Sequence, residues 1–595
     1  MSRLETLDWA CVFGFFAVSF LIGALVSRRA GRNSSEFFLS GRAMPWWLLG
    51  LSMVATTFAA DTPNLVTEIV RKNGVAGNWV WWAFLLTGML TVFVYARLWR
   101  RSGVMTDVEF YELRYGGKPA AFLRGFRALY LGVVFNVMIM AVVSLAAIKI
   151  SGVMLGLSPT TTILGAGAVT VVYSMLGGLR GVLITDAVQF GIAILGAILA
   201  ANVAVSHPDV GGLAALLDHP GVARRLDLLP DFSDPGNLVP VLVIPLAVQW
   251  WSVWYPGAEP GGGGYIAQRM LAARDERHAM GATLFFNAAH YALRPWPWIL
   301  VALASVIVFP DLDSLRQAFP DVPDEFIQDD LAYPAMLTFL PTGLLGLVVA
   351  SLAAAYMSTM STHLNWGASY VVLDWYRRFI KPDASEKSLV RLGRGTTLLL
   401  MIAASLLALT MESALDGFQI LLQIGAGTGL IYILRWFWWR INAWSEISAM
   451  IVSFAVAIFF TIDPAGLELE AWQELSIGVA VNTIAWLSVT LLTKPADEER
   501  LRDFYRKVRP GGRGWNRVLA RARTDGDPID VRAARGELPL GILAMTMGCL
   551  AVYTALFATG YWIYGETAAA LILSGIAVIS TALLVRLWGA LARTA

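Results

Sequence analysis

The stretch Gly50-Leu-Ser-Met-Val-Ala-Thr-Thr-Phe-Ala-Ala-Asp-Thr-Pro63 places a carboxylate and a proline inside an otherwise apolar segment. Proline lacks a backbone donor, and its ring interrupts a helix. Broken backbone at membrane depth is tolerated only where protein or a cavity satisfies its polar groups. We therefore expect a helix that spans the membrane to be interrupted across residues 55–62.

A second interruption is expected within residues 250–264, which contain two prolines and five glycines. The two breaks lie five apolar segments apart, and each opens a block of five. Paired interruptions at corresponding positions of two halves indicate an inverted-repeat transporter with its site near the bilayer midplane. A simple proline kink is the alternative for each break taken alone.

The composition excludes an ordinary soluble enzyme, because 57% of the 595 residues are hydrophobic and only 15% are charged. The apolar residues form about fifteen blocks of about 20 residues, the length that a helix needs to cross a bilayer. The net charge of +2 gives no indication of a nucleic-acid partner. The two cysteines, Cys11 and Cys549, both lie in apolar blocks, so neither a disulfide framework nor a metal site is expected.

Lysine and arginine are concentrated in alternate loops, most of all in the basic segment 494–536. The positive-inside rule then places the N-terminus outside and the C-terminus in the cytoplasm. The predicted location is a multi-pass plasma (inner) membrane.

Four hydroxyl side chains lie close together within residues 354–362 of an apolar segment. Ala355, Ser358 and Thr359 share one face of a helix, and Ser358, Ser361 and Thr362 repeat that spacing one turn on. Hydroxyl and carbonyl oxygens suit a small, hard cation. The alternative is that these hydroxyls bond back to the carbonyl four residues earlier in their own helix.

Asp186 lies more than one turn inside another apolar segment. A carboxylate within a membrane is costly and suggests an ion or proton pathway. A capped aspartate at a helix end, or one that is paired with Arg180, is the alternative.

Several motifs, in matching order and spacing, resemble those of the sodium:solute symporter family over about residues 7–465. They are residues 106–116, residues 173–189, Gln268-Arg269 with Leu271-Ala-Ala273, and residues 354–362 with 374–378. The resemblance implies an all-α integral membrane fold, the five-plus-five inverted repeat of the leucine transporter, with one extra N-terminal helix and about four extra C-terminal helices.

On that basis the chain divides into seven segments. They are an N-terminal extra helix with an inner loop (1–43), the first repeat (44–204), an outer loop (205–238), the second repeat (239–438), additional helices (439–493), a basic cytoplasmic loop (494–536) and a C-terminal helix pair (537–595).

The resemblance also implies where ions bind. The family's main sodium site maps onto the carbonyls of Ala55, Phe58 and Ala355 and the hydroxyls of Ser358 and Thr359. A second sodium site, which some members of the family have, maps onto Asp186, Ser358, Ser361 and Thr362. One or two sodium ions, and no organic cofactor, are expected.

The solute is expected between the two breaks, where aromatic faces and a few polar groups suit a sugar ring or another polyol. The candidate contacts are Thr57, Asp61, Thr62, Trp82, Ser252, Tyr255, His290 and Gln423. His290 falls where sugar-transporting relatives have a lysine, although a buried, hydrogen-bonded histidine is equally compatible. Trp79 is expected to be an interfacial anchor, and Arg435 to bind an anionic solute or to reach the inner interface.

The predicted function is sodium-coupled symport of a small polar organic solute by alternating access. A sugar or sugar-like compound is favoured, and an amino acid or carboxylate is close behind. A proton-coupled carrier and a membrane sensor remain as alternatives. The partners are the solute, Na⁺ and membrane lipid, without nucleic acid, and the sequence does not indicate an oligomeric state. No enzymatic activity is expected, since the five histidines are scattered.

Overall fold

The fold is described by a computed structural model over residues 4–30, 33–254, 257–411, 422, 425–462, 466–531 and 536–594. Within these ranges the regular structure is helical, and the two isolated β-bridges join Met44 to Ala273 and Val253 to Ala426. Ten of the described helices are long and apolar enough to cross a membrane.

The helices used below are numbered in chain order. They are α1 Thr6–Ala30, α2 Trp46–Thr57, α3 Asp61–Asn73, α4 Val75–Ser102, α5 Gly117–Leu155, α6 Pro159–Val205, α7 Gly264–Ala272, α8 Glu276–Val308, α9 Leu344–Ile380, α10 Glu386–Ala408, α11 Gly429–Leu434, α12 Ala443–Ile462, α13 Ala471–Leu492, α14 Glu498–Val508, α15 Asn516–Thr524, α16 Glu537–Tyr564 and α17 Thr567–Thr594.

The first expected break is present between α2 and α3. The α2 helix ends at Thr57, and the backbone of Phe58 leaves the helical region at φ −89° and ψ 63°. The α3 helix begins at Asp61, so Pro63 lies in its first turn, where a missing N–H is tolerated. The chain therefore crosses this depth as two short helices that are joined by an irregular link.

The second expected break separates a helix over residues 235–252 from α7. Val253 is extended, and its neighbour Trp254 donates a backbone hydrogen bond to the carbonyl of Gly425 at 3.0 Å. Gly261 and Gly262 have φ angles of 79° and 68°, a conformation that side chains other than glycine rarely adopt. The glycine run is thus needed for the path of this link.

The loops assemble into two opposite faces. We call the face that carries Arg101, Glu276 and Glu537 the basic face. There, Arg101 forms ion pairs with Glu276 at 2.9 Å and with Glu537 at 3.0 Å. On the other face, Arg71 pairs with Asp329 at 2.7 Å. These contacts tie together segments that are remote in sequence, so each face is a folded layer rather than a set of free loops.

The segment 494–536, expected to be a basic loop, contains the helices α14 and α15 within its described part. Phe504 and Trp515 are buried there and stack at 5.6 Å between ring centroids. Arg502 pairs with Asp525 and Asp527 of the same segment. The segment is therefore a small folded cap on the basic face.

The helix α1 is clamped to the start of α9. The carboxylate of Asp8 accepts hydrogen bonds from the backbone N–H groups of Gly343 and Gly346, both at 2.7 Å. These are unpaired donors at a helix N-terminus, where a carboxylate also interacts favourably with the helix dipole. A Cβ atom at Gly346 would lie 2.3 Å from the Cα of Asp8, so the two backbones approach closely.

We predict that Asp8→Ala lowers the free energy of unfolding by about 1–2 kcal/mol, because it leaves these buried amides without an acceptor. Thermal unfolding of the purified protein in detergent measures the effect as a lower midpoint. Asp8→Asn retains an acceptor oxygen and should lose less, and Asp321→Asn on the exposed surface is the control. Equal midpoints for Asp8→Ala and wild type would contradict the clamp.

Candidate functional site

The hydroxyl stripe of α9 faces the first break. The Oγ1 of Thr359 donates to the carbonyl oxygen of Thr56 at 2.8 Å and lies 3.2 Å from that of Ala355. Ser358, Ser361 and Thr362 are buried against protein as well. The stripe thus lies inside the helix bundle, against backbone that the break exposes.

The backbone at the break is only partly satisfied within its own helix. The N–H of Phe58 lies 2.9 Å from the carbonyl oxygen of Val54 and 3.1 Å from that of Ala55. The carbonyl of Thr57 bonds to a side chain from another helix: it accepts a hydrogen bond from Nη1 of Arg294 at 2.5 Å. The main sodium site is expected to use the carbonyl oxygens of Ala55 and Phe58. These two residues lie on either side of Thr57, whose carbonyl is already bound by the guanidinium of Arg294.

Bonding back along the helix accounts for only part of the stripe. Thr359 lies 3.2 Å from the carbonyl oxygen of Ala355, four residues earlier, as that alternative expects, and Ser361 donates to the carbonyl of Ser358, three residues earlier, at 3.1 Å. Ser358 instead reaches across to Asp186, with its Oγ 2.7 Å from Oδ1. The hydroxyl of Thr362 contacts Thr56 at 3.0 Å. Ser358, Thr359 and Thr362 thus connect α9 to other helices.

Asp186 is fully buried on α6 and accepts from two hydroxyls. Besides Ser358, the Oγ of Ser52 lies 2.5 Å from its second oxygen. Among the described residues its cationic neighbour is Arg269 at 3.9 Å, rather than Arg180. Sequence reasoning missed Ser52, because one serine in an apolar helix carries no distinctive signal.

Arg269 occupies the centre of this cluster. Its Nη2 donates to the hydroxyl of Thr362 at 2.6 Å, and its Nε and Nη2 lie 3.3 and 3.2 Å from the hydroxyl of Ser52. The guanidinium therefore contacts two of the four side chains expected in the second sodium site, Asp186 and Thr362. A cation at that site has to share them with Arg269.

A cavity lies beside the stripe, between α3, α4, α5, α8 and the second break. Its polar wall comprises Thr56, Thr57, Asp61, Thr62, His290, Arg294, Thr359 and His363, and its aromatic wall comprises Trp81, Phe84, Tyr265, Phe286 and Tyr291. Thr359 belongs to both the cavity wall and the stripe, and Thr56 of the cavity wall accepts its hydrogen bond. The two features are therefore in direct contact.

The polar wall is preorganised by one chain of hydrogen bonds. His290 lies 3.0 Å from the hydroxyl of Thr57 through Nδ1 and 3.1 Å from Nη2 of Arg294 through Nε2. The guanidinium of Arg294 also stacks 5.0 Å above the ring of Trp298. Across from this chain, Oδ1 of Asp61 is buried in the cavity wall without a hydrogen-bond partner among the described residues.

Comparisons with known proteins identify the family of the chain. The model of the sodium:solute symporter family matches residues 37–453. The chain belongs to this family. It is thus a sodium-coupled solute symporter, as the motifs indicated, and a transporter rather than an enzyme.

The relatives found include carriers of sugars and of a polyol. The symporter is 26% identical to a sodium/glucose cotransporter of Vibrio parahaemolyticus over 80% of its own length and 89% of the relative. It is 27% identical to sodium/myo-inositol cotransporter 2 of Oryctolagus cuniculus, over 84% and 78% of the two chains. A solved structure of a Na⁺-coupled sialic acid symporter shares the fold, with a TM-score of 0.66, 20% identity, and coverage of 83% and 99%.

Only some of the residues expected to contact the solute line the cavity. Thr57, Asp61, Thr62 and His290 line the cavity of the symporter. Ser252 is buried and is not part of this wall. Tyr255 and Gln423 lie outside the described residues. Sequence reasoning missed Tyr265 and His363, which a periodicity argument cannot tell from ordinary core residues.

The tryptophan on the wall is Trp81, where Trp82 was expected. Neighbouring residues of a helix point about 100° apart, and the rotation of α4 in the bundle turns Trp81 rather than Trp82 to the cavity. Trp82 packs against Trp79 at 5.9 Å instead. Trp79 is itself buried and donates to the carbonyl of Leu228 at 3.0 Å, so it is held beneath a loop.

Arg435 has neither of the roles that its position suggested. It is buried, 3.5 Å from Glu446, and its guanidinium lies 4.8 Å from the ring centroid of Phe110. Tyr111 accepts a hydrogen bond from it at 3.2 Å. Arg435 therefore belongs to an internal ion pair that closes the bundle below the second break.

We predict that Thr359→Ala raises the sodium concentration for half-maximal uptake by about tenfold, since it removes an oxygen that faces the first break. Ser358→Ala should act in the same direction. Uptake of a transported solute into vesicles, measured against sodium concentration, provides the test. Thr461→Ala, whose hydroxyl bonds within α12 at 2.9 Å, is the matched control. An unchanged sodium dependence in Thr359→Ala would refute the assignment of this face.

Proposed function

We propose that this symporter moves a sugar or another polyol together with Na⁺ by alternating access. The observation that carries the proposal is the contact between the cavity and the hydroxyl stripe through Thr56 and Thr359. An ion held between α2 and α9 would fix the backbone that forms part of the cavity wall. Binding of the ion and of the solute would then stabilise the same arrangement, which is the physical basis of coupling.

The proposed main sodium site consists of the carbonyls of Ala55, Phe58 and Ala355 and the hydroxyls of Ser358 and Thr359. The support is that these residues are buried and carry oxygen atoms that can bind a cation. They come from two helices that meet at the break, where the hydroxyl of Thr359 contacts the carbonyl of Thr56. Small hard cations prefer such oxygen ligands. Ser358 would have to turn from Asp186 toward the ion.

A second ion at Asp186, Ser358, Ser361 and Thr362 stays a prediction that depends on Arg269. With the guanidinium in place, the charge of Asp186 is already balanced. We propose that one sodium ion is coupled while this pair persists. One charge that moves through 100 mV gains about 2.3 kcal/mol, and a tenfold sodium gradient adds about 1.4 kcal/mol. Coupling to one ion could then sustain a solute gradient of about 500-fold.

The wall of the cavity supports the proposed class of solute. Trp81 and Tyr291 offer aromatic faces, and Asp61 offers an oxygen that can accept from a hydroxyl. Pockets of this kind, apolar with a few placed polar groups, orient ring-shaped polar solutes. The names of the sugar and inositol relatives favour the same class. An amino acid or a carboxylate remains the second candidate, because Arg294 and His290 also border the cavity.

We propose that the basic face lies in the cytoplasm of a cell whose plasma (inner) membrane holds the protein, with the N-terminus outside. Support comes from the arginines that gather there, of which Arg101 and Arg378 are examples. The cavity extends from Thr56 and Thr57 of α2 to Val66 of α3, the half of the first broken helix that ends on the opposite face. In the proposed orientation it therefore extends toward the outer side of the first break.

We predict that a transported solute raises the thermal midpoint of the purified protein only when sodium is present. A coupled ion and solute stabilise the same conformation, so the solute raises the thermal midpoint fully only when the ion is also bound. A screen of sugars, polyols, amino acids and carboxylates, each in sodium and in choline buffer, measures this. Vesicle uptake that survives the replacement of sodium by choline would reject sodium coupling and favour protons.

We further predict that Asp61→Asn weakens the apparent affinity for the solute by about tenfold, because a hydrogen bond to a charged acceptor is lost. The concentration dependence of uptake at saturating sodium measures it. Asp321→Asn removes a carboxylate on the exposed surface and should leave the affinity unchanged. An unaltered affinity in Asp61→Asn would show that this carboxylate does not contact the solute.

A further inference from the structure

A second, smaller cavity lies next to the glycine run of the second break. It is enclosed by α4, the break and α8, and it has room for about one water-sized particle. Its polar lining consists of oxygen-bearing side chains: Thr87, Thr91, Glu259, Thr283 and Asn287. None of these residues lines the larger cavity, and none belongs to the hydroxyl stripe of α9.

Two oxygens in this lining are buried without a partner. Oε2 of Glu259 and Oδ1 of Asn287 have no hydrogen-bond partner among the described residues, and the side chains are only 5% and 1% exposed. Leaving a buried acceptor unsatisfied costs about 1–3 kcal/mol, and a charged one costs more. The buried indole N–H of Trp254 neighbours the Glu259 carboxylate and offers it one donor. The two oxygens together still leave acceptor capacity for a further electropositive partner in the cavity.

The remaining groups offer acceptors rather than donors. The hydroxyls of Thr91 and Thr283 donate to backbone carbonyls in their own helices, each at 2.9 Å, and Thr87 donates to the carbonyl of Trp250. The hydroxyl hydrogens of these threonines are thus already used, and only the lone pairs of the hydroxyl oxygens remain to bind a group in the cavity. The amide nitrogen of Asn287 donates to the carbonyl of Thr283 at 2.8 Å, which leaves its oxygen on the cavity side.

Glycines make room for the two unpaired oxygens. A Cβ atom at Gly263 would lie 2.0 Å from Cδ of Glu259, and one at Gly88 would lie 1.7 Å from Oδ1 of Asn287. Any side chain at either position would displace these groups. The glycine run therefore has a second role besides the path of the link: the absence of a side chain at Gly263 leaves space for the carboxylate of Glu259.

We propose that this cavity binds one small monovalent cation, Na⁺, with the carboxylate of Glu259 and the amide oxygen of Asn287 as its principal ligands and the threonine hydroxyls as further ligands. Hard cations take oxygen ligands, and one carboxylate among neutral oxygens matches a single positive charge. The ion would bridge α4 and α8 to the second break, much as the predicted main site bridges α2 and α9.

The charges around Glu259 are compatible with an added cation. Asp107, Arg127 and Arg435 interact with it electrostatically. Arg435 is already paired with Glu446. The carboxyl groups of Asp107 and Glu259 share the guanidinium of Arg127, so the group can take one further positive charge when both are ionised.

The test counts the sodium ions that the purified full-length protein binds, by equilibrium binding of radioactive Na⁺ in choline buffer. Glu259→Gln keeps the shape of the side chain but removes its charge, and it should bind one ion fewer per chain than wild type. Glu566→Gln, an exposed carboxylate on a loop, controls for the change in net charge. Equal numbers and equal affinities in Glu259→Gln and wild type would overturn the proposal, and would identify the occupant as water or a proton.

A second variant covers the case in which Glu259→Gln does not fold. Asn287→Ala removes a neutral ligand and should weaken the binding of one ion by about tenfold. Unchanged binding in Asn287→Ala would count against the site in the same way.

This site and the proposed transport can fail separately. Sodium-independent uptake would reject coupling at α9 and leave the ion at Glu259 in place. In a Thr359→Ala background, Glu259→Gln should still remove one bound ion. If Glu259→Gln changes nothing while uptake keeps its sodium dependence, only the proposal for the second break is wrong.

Discussion

Backbone that leaves a helix inside a membrane has no water to satisfy it, and this constraint governs the structure. At the first break the exposed carbonyls of Thr56 and Thr57 are taken by Thr359 and by Arg294. At the second, the N–H of Trp254 bonds to Gly425 and that of Gly264 to Asp107. Each break thus recruits partners that are distant in sequence, and at the first break those partners, Thr359 and Arg294, also line the larger cavity.

The same constraint explains why the charges are buried where they are. Arg294 stabilises the end of α2, Arg269 balances Asp186 behind the hydroxyl stripe, and Arg435 balances Glu446 below the second break. Breaking a buried ion pair by removing one partner is costly. Loss of either partner in the Arg269–Asp186 or Arg435–Glu446 pair would therefore leave a buried charge without its counter-ion.

Much of this was readable from the sequence, because prolines, glycines and intramembrane carboxylates are rare enough to stand out. The breaks at residues 55–62 and 250–264 were located, and so was the orientation of Ser358 and Thr359 toward a partner helix. What failed needed three-dimensional information. Which of Trp81 and Trp82 lines the cavity depends on how α4 is rotated in the bundle, and the guanidinium of Arg269 reaches Asp186 across the bundle. The interior of a membrane protein gives serine and tyrosine no periodic signature, so Ser52 and Tyr265 were missed.

The clamp between Asp8 and the start of α9 gives the first helix a role beyond that of a membrane anchor. Helix α1 lies outside the core in sequence, yet it holds the end of the helix that bears the hydroxyl stripe. A shortened carrier that begins at α2 would leave the amides of Gly343 and Gly346 without their carboxylate acceptor. Efforts to engineer a minimal version of this symporter should accordingly keep α1 or supply another acceptor in its place.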